Sequence, residues 1–183
     1  MLYHFEPSPG PDSPQIIRMI VEIPKESSNK YEFDWQLKLF RLARSLYSPL
    51  HYPGDYGFLP GTIAADGDPL DVLCMANTPS FTGCVLYVRP VAVLDMLDGT
   101  KRDHKILAAH VHDPRHDQLH RLANVNQHRL AEIEHFFSIY KELEGTTMVM
   151  GGWRDVEAAH RVIVESRERY LTQVREQPQK RHA

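Results

Sequence analysis

Five aspartates fall in two short stretches of the sequence. In "AADGDPLDVL" (residues 64–73) Asp66, Asp68 and Asp71 lie within six residues, and in "MLDGTKRDHK" (residues 96–105) Asp98 and Asp103 follow an apolar run. Like charges this close repel. The apolar residues Val72, Leu73, Cys74 and Met75 then carry the first stretch toward a core, so the crowding calls for a countercharge. Hard cations such as Mg²⁺ and Mn²⁺ take oxygen ligands, which aspartates on a tight turn supply without long, mobile side chains. Gly67 and Pro69 favour such a turn and could converge Asp66 and Asp71 on one point. With Asp98 and Asp103 they could hold two ions, an arrangement that clamps phosphoryl oxygens and lowers the pKa of bound water. Taken alone, Asp-Gly-Asp-Pro reads first as a solvated turn, because those residue types dominate turns. An EF-hand is poorly supported: counted from Asp66, the sixth position is Asp71 rather than Gly and the twelfth is Asn77 rather than Glu.

Cationic and phenolic residues stand out elsewhere. Lys30, Tyr31 and Glu32 are consecutive, Arg44 lies shortly before "YPGDYG" (residues 52–57), and Tyr140 and Lys141 end an apolar pattern. Singly, each reads as a surface charge or a core aromatic. Together with the aspartates they are the donors and acceptors of a phosphate site, in which metals, Lys, Arg and Tyr surround anionic oxygens.

The elements that must position them divide into two textures. Residues 16–111 read as short strands: 16–23, rich in β-branched residues and ended by Pro24; 30–34 and 37–42, joined by a short polar link as a hairpin; 56–59, ended by Pro60-Gly61; 71–75; 84–94, where Pro90 implies a bulge or an edge; and 105–111. After that, Ile133, Phe136, Phe137 and Tyr140 recur at helical spacing, as do Val156, Ala159, Ile163 and Ser166, with Asp155 as a candidate N-cap. Strands first and helices after imply segregated α+β, or a small barrel with helices outside. The division expected is a flexible leader over 1–14, a single catalytic domain over 15–172 and a polar tail over 173–183.

Composition narrows the class. The 183 residues are 42% hydrophobic and 25% charged with a net charge of −3, which suits one soluble domain and offers no basic field for nucleic acid or anionic lipid. No apolar run approaches the ~20 residues of a membrane helix, and the N-terminal residues lack the pattern of a signal peptide. The two cysteines, Cys74 and Cys84, have no CxxC spacing and read as buried free thiols in a reducing cytoplasm. Of the eleven histidines, His110, His112, His116 and His120 cluster. Spacings of four could align three of them as metal ligands on a helix, but Pro114 makes a continuous helix unfavourable, and a solvated, pH-sensitive segment is the expectation.

From about residue 16 to residue 170 the chain resembles the soluble family I inorganic pyrophosphatases. The resemblance rests on "VEIPK", "NKYEFD", "YPGDYGFLPGT", "DGDPLDVL", "RPVAVLDMLD", "DHKIL", "HFFSIYKELE" and "GW". It implies hydrolysis of pyrophosphate to two phosphates by metal-activated water, with Mg²⁺ as the usual cation. It implies too a small mixed OB-like β-barrel with two main helices packed outside, in an α+β, β-dominated fold. By position, Asp66, Asp71, Asp98 and Asp103 correspond to metal ligands, with Asp71 bridging two ions, and Asp68 to the carboxylate that orients or deprotonates the water. Lys30, Arg44, Tyr56, Lys105, Tyr140 and Lys141 correspond to the phosphate-binding set, and Glu22 and Glu32 to glutamates that reach metals or waters. Gly99 departs from the family, which often has an acidic residue after the aspartate aligned with Asp98. The resemblance further implies a homo-oligomer, with a hexamer favoured by the compact length. The competing reading, from another class, is a non-catalytic barrel binding an anionic ligand or nucleic acid. Such a module needs basic and aromatic residues without clustered aspartates.

Overall fold

The structure is a computed structural model and describes residues 8–176. Nine strands and two helices follow one another as β1 (Ile17–Ile23), β2 (Asn29–Asp34), β3 (Leu39–Ser45), β4 (Asp55–Leu59), β5 (Leu70–Met75), β6 (Val85–Asp98), β7 (Lys101–Arg102), β8 (Lys105–His110), α1 (Gln127–Ile139), β9 (Met148–Asp155) and α2 (Val156–Glu176). Strand β1 pairs with β4, β4 with β5, β5 with β8, β8 with β6, and β6 back with β1. The pairings therefore close on themselves as a ring of five strands, the architecture expected of an OB-like fold. Among the described strands only β5 and β8 run parallel, with Asp71 opposite Lys105. Strands β7 and β9 extend the sheet from β6, and β2–β3 form a separate hairpin.

Period-two alternation sorts the ring residues onto two faces. Ile17, Met19, Val21, Leu70, Val72, Cys74, Ile106 and Ala108 form one core with Ala158, Ala159, Val162 and Ile163 of α2. The opposite face, with Tyr56, Leu73, Leu94 and Leu107, packs against Leu130, Ile133, Phe136, Phe137 and Tyr140 of α1 and its C-terminus. The helical spacings read from the sequence thus do lie on buried faces, although Val156 is only half-buried. Asn126 caps α1 by accepting from His128 N and Arg129 N. The Asp155 carboxylate accepts from Val156 N at the start of α2 and also from Leu122 N.

Several boundaries differ from the sequence reading. Strand β9 is absent from it, because "MVMGGWRD" carries a glycine pair that lowers strand propensity. Gly151 is needed there: a Cβ would lie 2.9 Å from Asp95 Cβ, beside the irregularity in the β6–β9 register between Asp95 and Met96. Strand β6 runs on to Asp98, and its register with β8 shifts between Pro90 and Ala92, the bulge that proline implied. Cys74 is fully buried, whereas Cys84, just before β6 and next to exposed Val85, is half-buried. Helix α2 continues to Glu176, so residues 173–176 of the expected tail are helical. Of the expected leader, residues 8–14 form turns against β1, with Arg18 N donating to Pro9 O; residues 1–7 and 177–183 lie outside the described residues.

Candidate active site

A cavity of about 360 Å³ opens where the hairpin, the two aspartate-bearing loops and the C-terminus of α1 meet. Its walls carry seven carboxyl groups (Glu22, Glu32, Asp66, Asp68, Asp71, Asp98 and Asp103), three lysines (Lys30, Lys105 and Lys141) and three tyrosines (Tyr52, Tyr56 and Tyr140). Phe33, Trp35, Phe58 and Pro69 complete it.

Each group arrives by a local device. Ala64 N donates to Asp68 O at 2.7 Å and Asp68 N donates to Asp66 Oδ1 at 3.0 Å, with Gly67 at φ 101° closing the turn where an L side chain would be strained. Asp71 follows on β5 and faces Lys105, which sits on β8 in parallel register. The Lys105 ammonium lies 2.5 Å from both Asp71 Oδ2 and Asp103 Oδ1, with the rings of Tyr56 and Phe137 beneath it. Tyr56 is brought close by Gly57, since a Cβ on residue 57 would stand 1.9 Å from Ile20 O. Tyr52, Tyr56, Phe136, Phe137 and Tyr140 form one aromatic cluster with neighbouring ring centroids 4.9–6.0 Å apart, which fixes where the phenols stand. Lys141 pairs with Asp98 Oδ2 at 2.5 Å.

The hairpin contributes through an irregularity. Lys30 faces Arg44 and Tyr31 faces Leu42, so Ala43 is an extra residue in β3. The bulge brings Arg41 and Arg44, three apart, to the side that carries Lys30 and Glu32. Glu32 bonds both Lys30 Nζ (2.8 Å) and Arg41 Nη2 (2.9 Å).

Charge is unbalanced: seven carboxyls face three ammonium groups. Burial raises the Glu22 pKa to about 7, against the pull of the hydrogen bond from Phe33 N. Burial also raises Asp68, reinforced by Asp66 and Asp71, and raises Asp103. Burial alone would lower Lys105, but Asp71 and Asp103 outweigh it and hold the ammonium charged. Every one of these acids offers hard oxygen, and no thiol or imidazole lines the cavity, a donor set suited to Mg²⁺ or Mn²⁺ rather than to softer metals.

Of the residues that the resemblance assigns to the site, Arg44 does not line the cavity; it stands behind the wall with its Nε donating to Glu144 Oε1 at 2.8 Å. Tyr31, which stood out beside Lys30, does not line it either, its hydroxyl accepting from Asn29 Nδ2 at 3.2 Å. Tyr52 lines the cavity and was not singled out, although "YPGDYG" contains both tyrosines; the signal was available in that motif. Asp55 of the same motif is buried and structural, accepting from Lys25 N and Ser80 N. The histidine-rich stretch forms a short 3-10 turn at Pro114–His116 rather than a helix, so no helical face aligns its histidines. Among the described residues no three His, Cys, Asp or Glu side chains converge as metal ligands would; at the cavity, Lys105 lies between Asp71 and Asp103.

Comparison with known proteins agrees with this geometry. Residues 19–171 match the family described as Inorganic pyrophosphatase. The chain is 47% identical over 159 residues to an inorganic pyrophosphatase of Methanosarcina mazei, covering 87% of this chain and 94% of that protein. To the enzyme of that name from Geobacillus stearothermophilus it is 44% identical, covering 87% and 96%. The crystal structure of inorganic pyrophosphatase from Thermus thermophilus superposes with a TM-score of 0.87 at 38% identity, covering 90% of this chain and 98% of that one. A match that spans both helices, the strand ring and both aspartate loops leaves one conclusion: the chain belongs to the inorganic pyrophosphatase family.

Proposed function

We propose that the chain hydrolyses inorganic pyrophosphate to two phosphates with divalent cations, Mg²⁺ first among them. The observation that carries this is the cavity's excess of carboxyl groups over lysines, seven against three, in a family of pyrophosphatases. Asp66, Asp71, Asp98 and Asp103 hold the cations, and Glu22 and Glu32 stand in reach of metals or their waters. Bound cations supply charge neutralisation for the phosphoryl oxygens and lower the pKa of water. Asp68, between two metal-binding carboxylates in sequence and raised by burial and by their charge, accepts the proton of the attacking water. Lys30, Lys105, Lys141, Tyr52, Tyr56 and Tyr140 hold the phosphates, with Arg44 behind them. Leaving phosphate departs only when its charge is offset, which is the work of these donors.

The test is phosphate release from pyrophosphate with and without Mg²⁺. The native chain should show metal-dependent release, and Asp68→Asn should lose about 10²-fold or more in kcat while titration calorimetry shows Mg²⁺ still bound. Asp71→Ala should weaken Mg²⁺ binding more than Asp68→Asn does. No metal-dependent release by the native chain would refute the reading. A non-catalytic barrel that binds polyanions is disfavoured by the acidity of this cavity, with seven carboxyl groups against three lysines. We further propose a cytoplasmic homo-oligomer, with a hexamer as the assembly to test first. It is supported by the free cysteines and by exposed Leu37, Leu39, Tyr47, Phe81 and Leu143, and light scattering on the purified chain tests the assembly. No described helix is long and apolar enough to cross a membrane.

A further inference from the structure

We infer that Glu144 is a positioning residue for the phosphate site, acting through Arg44. The inference rests on the proposed pyrophosphate reading and adds a residue to it.

Arg44 and Glu144 are a hundred positions apart, yet Arg44 Nε donates to Glu144 Oε1 at 2.8 Å, and both side chains are mostly buried. Glu144 is itself fixed. It ends the 3-10 turn at Glu142–Glu144, its backbone N–H donates to Lys141 O at 2.9 Å, and Gly145 at φ 76° terminates the turn. The carboxylate therefore stands at a set place relative to Lys141, which lines the cavity. On the other side, the bulge at Ala43 puts Arg44 on the face of the hairpin that carries Lys30 and Glu32, and Arg44 acts electrostatically on Glu32 and Tyr52, both of the cavity wall. The ion pair is thus a strap between the two walls that carry the phosphate-binding cations.

A guanidinium offers donors along more than one edge. Glu144 occupies Nε, whereas Arg44 Nη2 is buried without any hydrogen-bond partner among the described residues. A buried donor left unpaired is costly, so the guanidinium is held there by its other edge. Glu144 fixes it from behind, so that the Arg44 charge keeps a set place beside Lys30 and Glu32 of the cavity wall, where it attracts substrate or product phosphate.

The sign of the effect separates this role from simple electrostatics. Deleting a carboxylate beside an anion site should, by charge alone, tighten anion binding. If Glu144 positions Arg44, Glu144→Gln should instead raise the KM for pyrophosphate about three- to tenfold, with a smaller change in kcat, and weaken inorganic phosphate binding in titration calorimetry by a similar factor. Arg44→Gln should raise KM about tenfold or more, and adding Glu144→Gln to it should change KM no further, because the carboxylate acts only through the arginine. Circular dichroism and the thermal midpoint confirm that each variant is folded, and Glu144→Ala serves as the second truncation if Gln disturbs the turn. A KM that falls in Glu144→Gln and Glu144→Ala, or effects that multiply in the double variant, would overturn the inference. An Arg44→Gln variant with native KM would instead remove Arg44 from the phosphate site, whereas a native chain without pyrophosphatase activity would remove the functional reading itself.

Discussion

Lys105 is the buried countercharge of the cavity, and replacing it by methionine tests that role directly. The ammonium lies 2.5 Å from Asp71 Oδ2 and from Asp103 Oδ1, and its side chain is 4% exposed while theirs are 24% and 10%. Methionine keeps the length and the contact with the Tyr56 and Phe137 rings but leaves two carboxyl groups side by side without a cation. Breaking a buried ion pair by deleting one partner costs about 3–5 kcal/mol. The lower end applies here, because Asp71 retains some contact with water and one carboxyl can take up a proton. About 3 kcal/mol corresponds to a fall of roughly 6–12 °C in Tm for a chain of this size. The assay is thermal unfolding in a chelating buffer and again in saturating Mg²⁺. Lys105→Met should melt lower in chelator, and the gap should narrow with Mg²⁺, which supplies positive charge to the same carboxylates. A drop below about 2 °C in chelator, against the fall expected from the ion-pair estimate, or a gap that widens with Mg²⁺, would refute the reasoning.

Other outcomes follow from the same geometry. Glu22 titrates near 7 in the folded chain against 4.5 unfolded, so the fold keeps it protonated where the unfolded chain ionises it. Metal-free stability should therefore fall as pH rises from about 4.5 to 7, by up to about 3 kcal/mol from this group. Urea midpoints at pH 5 and pH 7 in chelator should show that fall in the native chain and a flatter profile in Glu22→Gln; equal slopes would count against it. Gly57→Ala places a Cβ 1.9 Å from Ile20 O and forces β1 and β4 apart, so it should destabilise by about 3 kcal/mol, read from denaturant midpoints. Burial pushes the Cys74 thiol well above its usual range and the Cys84 thiol less so. One thiol should accordingly react quickly with a thiol reagent at pH 8 and the other only after unfolding; two fast thiols would contradict the burial.

The aspartate turn was legible as a turn because its signal is local: Asp66, Gly67, Asp68 and Pro69 are turn residues, and the structure closes them as one, whereas its reading as a metal site needed the distant Asp98 and Asp103 and the resemblance. The strands with β-branched runs and the two helical faces were legible for the same reason, since period two and period 3.6 are carried by neighbours. What escaped depends on partners distant in sequence. β9 exists because Gly151 allows close approach to Asp95 of β6, and nothing within "MVMGGWRD" says so. The hairpin reading gave strands at 30–34 and 37–42, but the bulge at Ala43 that turns Arg44 toward Lys30 is a property of the pairing, not of either strand. Arg44's partner, Glu144, sits a hundred residues away in a turn with no periodic signal. Tyr52 escapes the sequence because one tyrosine in such a motif looks like any core aromatic until its ring is seen packed, tilted, against Tyr56 and Phe136.

The single parallel pairing, β5 with β8, has a topological consequence. Parallel neighbours begin at the same end of a sheet, so the loops that enter them, residues 60–69 and 103–104 with the turn before, share one rim of the ring. An antiparallel pair would have sent the two acidic loops to opposite rims, and no change of side chain could have brought Asp66 and Asp103 together. Strand polarity thus gives the ring a working end and a far end. The segments leaving β5 and β8, residues 76–84 and 111–126, emerge at the far end, and the histidine-rich stretch is among them. Changes of length or composition there bear on how the ring is tied, through contacts such as Arg89 with the carbonyls of His116 and Leu119, while the register that sets Asp71 against Lys105 is left untouched.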